Sequence, residues 1–125
     1  MAAPRKERFD REDSRLASYA KALSHPARIV ILRQLASLET CSFSEISREI
    51  PLADSTVSQH LYELKKAGLI LDSYDPPKIR YSIDSKNWKT ARKNFKEFMK
   101  TRTGRQKRIR NFPAVNLRVP VKVKS

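Results

Sequence analysis

Apolar residues recur at intervals of three and four over most of the first hundred positions, which is the spacing of an amphipathic helix. Leu16, Tyr19 and Leu23 repeat in this way, and so do Trp88, Ala91 and Phe95 further along the chain. Together with local start and stop signals, this pattern predicts helices at residues 11–24, 26–38, 44–50, 54–67 and 85–101.

Residues with marked backbone preferences define the ends of these helices. Ser42 and Glu45 have the spacing of a capping box, in which each side chain bonds the backbone N–H of the other residue. Pro51 stops the short third helix, and Gly68 is expected to end the fourth in the left-handed conformation. His25 precedes a proline, so we expect it to cap the second helix rather than to bind a ligand.

The period of the pattern changes from helical to two after residue 68. In the first segment Leu69, Leu71 and Ser73 alternate with Ile70, Asp72 and Tyr74, and in the second Ile79, Tyr81 and Ile83 alternate with Arg80 and Ser82. Two prolines lie between these segments, which predicts a β-hairpin over 69–83. The predicted fold is mainly α with a small β-hairpin wing. Helices 44–50 and 54–67 would form a helix-turn-helix within it.

The net charge of +14 is concentrated near one end of the chain. Residues 1–84 carry 13 Lys and Arg against 12 Asp and Glu, whereas residues 85–125 carry 14 against one. This asymmetry favours a polyanionic partner, and a solvated basic surface is the alternative. The longest apolar run is Ile29–Leu32, and a membrane span needs about 20 apolar residues. We therefore expect a cytoplasmic protein with no membrane partner.

The composition also suggests how the chain is divided. Residues 1–10 are expected to be a flexible charged lead, residues 11–101 the folded domain, and residues 102–125 a basic tail. Valines alternate with polar residues late in the tail, which indicates a possible extended strand, whereas disorder is the alternative interpretation.

The fourth predicted helix has one apolar and one polar side. Val57, Leu61 and Leu64 would face the core, which leaves short polar side chains on the outside near the helix start. In helix-turn-helix proteins the start of the second helix contacts base edges in the major groove. The predicted base-contacting residues are Ser55, Thr56, Ser58, Gln59 and His60. For His60 a structural hydrogen bond is an equal alternative.

The hairpin carries two cations that could contact the DNA backbone. Lys78 and Arg80 lie on or beside its turn, where a wing would touch phosphate or the minor groove. An ordinary amphipathic helix followed by a surface hairpin is the simpler interpretation of the same residues.

Three segments resemble the arsenic-repressor (ArsR) family of winged helix-turn-helix regulators. They are ALSHPARIVILRQL, SFSEISREIPLADSTVSQHLYELKKAGLI and KIRYSI. The resemblance implies that Ser55, Ser58 and Gln59 face DNA and that the first and last helices form a homodimer. The implied interface residues are Leu16, Tyr19, Leu23, Trp88, Phe95 and Phe98. Such a dimer would bind double-stranded DNA at a palindromic operator.

The chain departs from the metal-sensing members of that family. Their C-x-C pair is replaced here by Cys41-Ser42-Phe43, and the last helix has no His or Asp and only Glu97. These residues provide too few ligands for a metal site, so we expect no metal and no cofactor. Cys41 is expected to be a small buried hydrophobic residue, with a redox role as the alternative.

The resulting functional prediction is a dimeric, sequence-specific DNA-binding transcriptional regulator that acts as a repressor. The alternative is a winged-helix protein–protein adaptor, or a non-specific nucleic-acid binder that uses the basic C-terminal third. The sequence has no Gly-rich phosphate loop, no paired carboxylates with a histidine and no nucleophile motif, which argues against an enzyme. It does not identify an inducer, whether small molecule or protein.

Overall fold

The computed structural model describes residues 9–100, which form five helices and a small three-stranded sheet. The elements are α1 (Arg11–Ala22), α2 (Pro26–Leu38), β1 (Cys41–Ser42), α3 (Phe43–Arg48), α4 (Asp54–Lys66), β2 (Ile70–Asp75), β3 (Lys78–Ile83) and α5 (Ser85–Met99). The predicted tail and most of the predicted lead lie outside the described residues. The mainly helical winged helix-turn-helix architecture is confirmed.

Local hydrogen bonds begin and end the helices where the sequence signals indicated. The backbone N–H of Ser42 donates to Glu45 Oε1 at 2.9 Å, and the N–H of Glu45 donates to Ser42 Oγ at 3.3 Å, which completes the capping box. His25 Nδ1 accepts from the N–H of Ala27 at 2.9 Å and so caps α2. Gly68 ends the α4 segment with φ +87°, a conformation in which glycine is strongly favoured.

The sheet contains one strand more than the sequence pattern predicted. Its order is β1-β3-β2 and both pairings are antiparallel; Cys41 pairs with Tyr81 and Ser42 with Arg80. In the hairpin, Ile70 pairs with Ile83. Between the predicted helices 26–38 and 44–50 the sequence pattern predicts no strand. A strand of two residues has no detectable periodicity, because only its pairing with β3 defines it.

The core lies between α2, α3, α4 and the base of the hairpin. Its fully buried side chains include Ile31, Leu35, Ile46, Val57 and Leu64. Burial of α4 along the face that carries Val57 and Leu64 fixes the rotation of this helix about its own axis. The polar side of α4 is therefore held outward.

No helix within residues 9–100 is long and apolar enough to cross a membrane.

Candidate nucleic-acid interface

The first two turns of α4 present a continuous polar surface. Ser55, Thr56, Ser58 and Gln59 are all exposed, whereas Val57 between them is buried. None of the four polar side chains is charged. They offer hydroxyl and amide groups that can donate and accept hydrogen bonds, as contacts with base edges require. We call these four residues the α4 polar face.

The side chain of Gln59 is oriented by a neighbour one helical turn away. Its Nε2 donates to Glu63 Oε2 at 3.2 Å. Because a carboxylate accepts hydrogen bonds but does not donate them, the amide nitrogen must face Glu63. The amide oxygen of Gln59 then points away from Glu63 as an acceptor. Glu63 was not among the predicted site residues, although a spacing of four residues on a helix indicates such a pair.

The start of α4 is attached to the preceding helix by one hydrogen bond. Ser47 Oγ on α3 donates to Asp54 Oδ1 at 2.6 Å. Ala53 is the N-cap residue and makes no side-chain cap bond. The carboxylate of Asp54 thus joins the two helices of the helix-turn-helix instead of capping α4.

The structure corrects the predicted location of His60. This residue is only 7% exposed and lies on the core side of α4, not on the α4 polar face. Its Nδ1 accepts from Arg28 Nε at 3.0 Å, and its ring centroid lies 4.3 Å from that of His25. A buried ring in this position cannot reach a base, so the structural alternative for His60 applies.

The environment of His60 favours its neutral form. Burial is the largest cause that lowers its pKa, and the nearby charges of His25 and Arg28 lower it further. Since Nδ1 accepts a hydrogen bond, the neutral ring carries its proton on Nε2, and this nitrogen is buried with no partner among the described residues. Arg28 also donates to the carbonyl oxygens of Lys21 and Ala22 at 3.3 and 3.4 Å. Arg28 therefore connects the end of α1 to α4.

The two wing cations differ in their surroundings. Lys78 is exposed at the first position of β3, and within residues 9–100 it takes part in no ion pair. Arg80 is half-buried; its Nε donates to Thr40 Oγ1 at 3.1 Å, and its NH2 nitrogen lies 3.6 Å from Glu45 Oε1. Lys78 is consequently the freer of the two cations to meet a phosphate.

The glutamate beside Arg80 is also held by the capping box. The hydrogen bond from the backbone N–H of Ser42 is the largest cause that lowers the pKa of Glu45, and the charge of Arg80 lowers it further. Arg80 thus links the base of the wing to the first turn of α3.

Cys41 is fully buried in β1, as expected for a small hydrophobic residue. Burial raises the pKa of its thiol, and the charge of Glu45 raises it further, while Arg80 acts in the opposite direction. The thiol is therefore held in its protonated, less nucleophilic form.

The residues predicted to form a dimer interface are found in different environments. Tyr19 is only 5% exposed and belongs to the core of its own subunit, so the structure argues against its predicted role at a dimer interface. Leu23, Trp88 and Phe95 are partly buried against the same core. By contrast, Phe98 is 57% exposed. Leu16 and Phe98 line a cleft of about 460 Å³ between α1 and α5.

Comparisons with known proteins agree with this geometry. A family model described as "Helix-turn-helix domain" matches residues 23–72, which include the whole helix-turn-helix. The HTH-type transcriptional regulator YgaV of Escherichia coli is 40% identical over 67 residues, covering 54% of this chain and 68% of YgaV.

Solved structures extend the similarity over more of the chain. The crystal structure of Mycobacterium tuberculosis Rv0081 superposes with a TM-score of 0.56 at 30% identity, covering 74% of this chain and 96% of that one. An ArsR-like transcriptional regulator from Rhodococcus sp. RHA1 superposes with a TM-score of 0.61, covering 69% and 80% of the two chains. At 24% identity this second match supports the fold alone. The chain belongs to the helix-turn-helix transcriptional regulators, whose members are DNA-binding proteins and not enzymes, and it has the winged-helix fold of ArsR-like regulators.

Proposed function

We propose that this chain is a homodimeric, sequence-specific repressor that inserts α4 into the major groove of a palindromic operator in the cytoplasm. The observation that carries the proposal is the α4 polar face: four exposed, uncharged side chains at the start of the second helix of a helix-turn-helix. In this proposal residues 11–101 form the DNA-binding domain.

Gln59 has the most defined role in this proposal. With its Nε2 bonded to Glu63, its outward oxygen is an acceptor. In the major groove, adenine and cytosine present amino groups that could donate to it. Gln59 would therefore favour adenine or cytosine over guanine or thymine on the strand that it contacts.

Lys78 would neutralise phosphate without contributing to sequence selection. It is exposed at the turn end of the wing, and a contact with the phosphate backbone carries no sequence information. Arg80, bonded to Thr40 and paired with Glu45, would act mainly by holding the wing in place.

Two substitutions test these separate roles. Gln59→Ala should reduce the preference for a selected duplex over a mixed-sequence duplex by about 1–3 kcal/mol at one base pair. Lys78→Ala should weaken binding to both duplexes alike and make the salt dependence shallower by about 0.9. Equal losses on both duplexes for Gln59→Ala would remove Gln59 from the proposed base contacts.

The proposed dimer would use α1 and α5. Leu16 and Phe98 support it, because they leave apolar surface uncovered at the cleft between these helices. Phe98→Glu should convert the dimer to a monomer in sedimentation equilibrium, whereas Leu38→Glu, on the exposed end of α2, should not. A Phe98→Glu protein that stays dimeric would exclude this interface. Two recognition helices in a dimer would contact half-sites about one turn of DNA apart.

A further inference from the structure

Five lysines follow one side of α5 and its C-cap. They are exposed and occur at intervals of three or four residues: Lys86, Lys89, Lys93, Lys96 and Lys100. At about 100° per residue, all five lie within an arc of roughly 80° on the helix. At about 1.5 Å per residue, they extend along roughly 21 Å. We call this surface the lysine stripe.

Few carboxylates lie near the lysine stripe: Glu97 is on α5 itself, and Glu12 and Asp13 of α1 line the same cleft as Lys93. Within residues 9–100 the only ion pair of the stripe joins Lys100 Nζ to Glu97 Oε2 at 3.7 Å, and both of these side chains are largely exposed. Glu97 is also the only acidic residue in α5. The opposite side of α5 packs on the core through Trp88, Ala91 and Phe95, so the stripe is fixed outward.

The lysine stripe lies on a different part of the molecule from the α4 polar face. The start of α5 is attached to the far end of α4, where Asn87 Nδ2 donates to the carbonyl oxygen of Gly68 at 2.9 Å. Gln59 is nine residues before Gly68, which corresponds to roughly 13 Å along a helix. From that junction α5 runs beside α1, and Phe98 meets the early α1 residues in the shared cleft. A duplex against the α4 polar face therefore would not follow the length of the stripe.

We infer that the lysine stripe binds the phosphate backbone of a second DNA segment while α4 holds the first. The first contact rests on the proposed function. Along 21 Å, one DNA strand presents about six phosphates, which is comparable to the number of lysines in the stripe. The stripe contains no aromatic residue, arginine or methionine, the types enriched in protein–protein interfaces, where lysine is depleted. This composition suits sequence-independent binding of phosphate better than binding of an acidic protein.

A two-duplex retention assay with the full chain tests the inference. A biotinylated duplex is immobilised and saturated with protein, and a soluble fluorescent duplex of mixed sequence is then added at about 100 mM salt. Wild-type protein should retain the soluble duplex. The triple variant Lys86→Gln, Lys89→Gln, Lys96→Gln, whose members do not line the α1–α5 cleft, should retain at least ~10-fold less, and the salt dependence of retention should become shallower by about 2.7 for three lost phosphate contacts.

The matched control removes the same charge from other helices. Arg11 and Lys21 are exposed on α1 and Arg33 on α2, and the triple variant Arg11→Gln, Lys21→Gln, Arg33→Gln should retain the second duplex as the wild type does. Equal losses in the two triple variants would mean that total charge, not the lysine stripe, holds the second duplex.

Three further results would overturn the inference. One is that the α5 triple variant retains the soluble duplex as well as the wild type does. Another is that this variant binds the immobilised duplex more weakly to the same extent. The third is displacement of the soluble duplex by poly-glutamate as efficiently, per charge, as by DNA, which would assign the surface to an acidic polypeptide. Sequence selection by the wild type is measured separately on the immobilised duplex. A failure of sequence-specific binding by α4 can therefore be distinguished from a failure of the lysine stripe to bind a second duplex.

Discussion

Replacement of Arg28 with methionine should destabilise the fold, because this arginine of α2 forms hydrogen bonds with α4 and with the end of α1. Its Nε donates to the buried Nδ1 of His60 at 3.0 Å, and its NH1 group donates to two carbonyl oxygens at the end of α1. Methionine keeps much of the aliphatic packing and removes all three of these hydrogen bonds. It also leaves the Nδ1 of His60 without a partner.

The size of the effect follows from the geometry of these bonds. The bond to His60 is short and has a charged donor, a class that contributes about 1.5–3 kcal/mol. The other two bonds are 3.3 and 3.4 Å long, near the limit for hydrogen bonds, so we assign them little. We expect the free energy of unfolding to fall by about 2–3 kcal/mol. For a domain of this size, this corresponds to a fall in Tm of roughly 8–20 °C.

Urea denaturation followed by circular dichroism, at one fixed protein concentration, measures this change. Arg33→Met is the matched control, since Arg33 lies on the same helix, is exposed, and makes no side-chain hydrogen bond or ion pair within residues 9–100. Its substitution should change stability by no more than about 0.5 kcal/mol. Equal effects of the two substitutions would refute the assignment of a structural role to the Arg28–His60 bond.

The remaining predictions concern pH, a glycine and the core. Stability should fall as pH decreases below about 6.5, because the unfolded chain takes up a proton on His60 that the native state resists. Protonation of His60 should change the free energy of unfolding by at most about 1.4 kcal/mol per pH unit. Urea denaturation of His60→Asn at several pH values should show that this part of the pH dependence is lost. Gly68→Ala should cost about 1–3 kcal/mol, because φ is +87° and a new Cβ would lie 2.9 Å from Asn87 Nδ2; thermal unfolding measures this. Leu64→Ala should cost about 2–5 kcal/mol in the same assay, since Leu64 is 0% exposed.

Local signals in the sequence were sufficient to predict most of the fold. The capping box of Ser42 and Glu45, the cap at His25 and the turn at Gly68 each depend on neighbouring residues, and each is confirmed. The strand β1 could not be predicted, because its two residues are defined only by pairing with β3, about 40 positions further along the chain.

Two side chains, His60 and Tyr19, were predicted in the wrong environment, each for a different reason. His60 follows Val57 by three residues and precedes Leu64 by four, so helical spacing places it on the buried face. Its polar ring nevertheless suggested an outward position. Tyr19 fits the predicted stripe of α1, but periodicity does not distinguish a surface buried within one subunit from a surface buried between two. The bond between Ser47 and Asp54 depends on the angle between α3 and α4, which no sequence pattern specified.

Selection of bound duplexes from a random pool, at about 150 mM salt, tests the central claim most directly. The proposed function predicts recovery of a palindrome whose half-sites are about one helical turn apart. It further predicts that Gln59→Ala relaxes the preference at one base pair in each half-site. Recovery of no common motif, with binding that disappears as salt is raised, would contradict sequence-specific binding by α4. Binding would then be attributed to the basic charge of the chain alone.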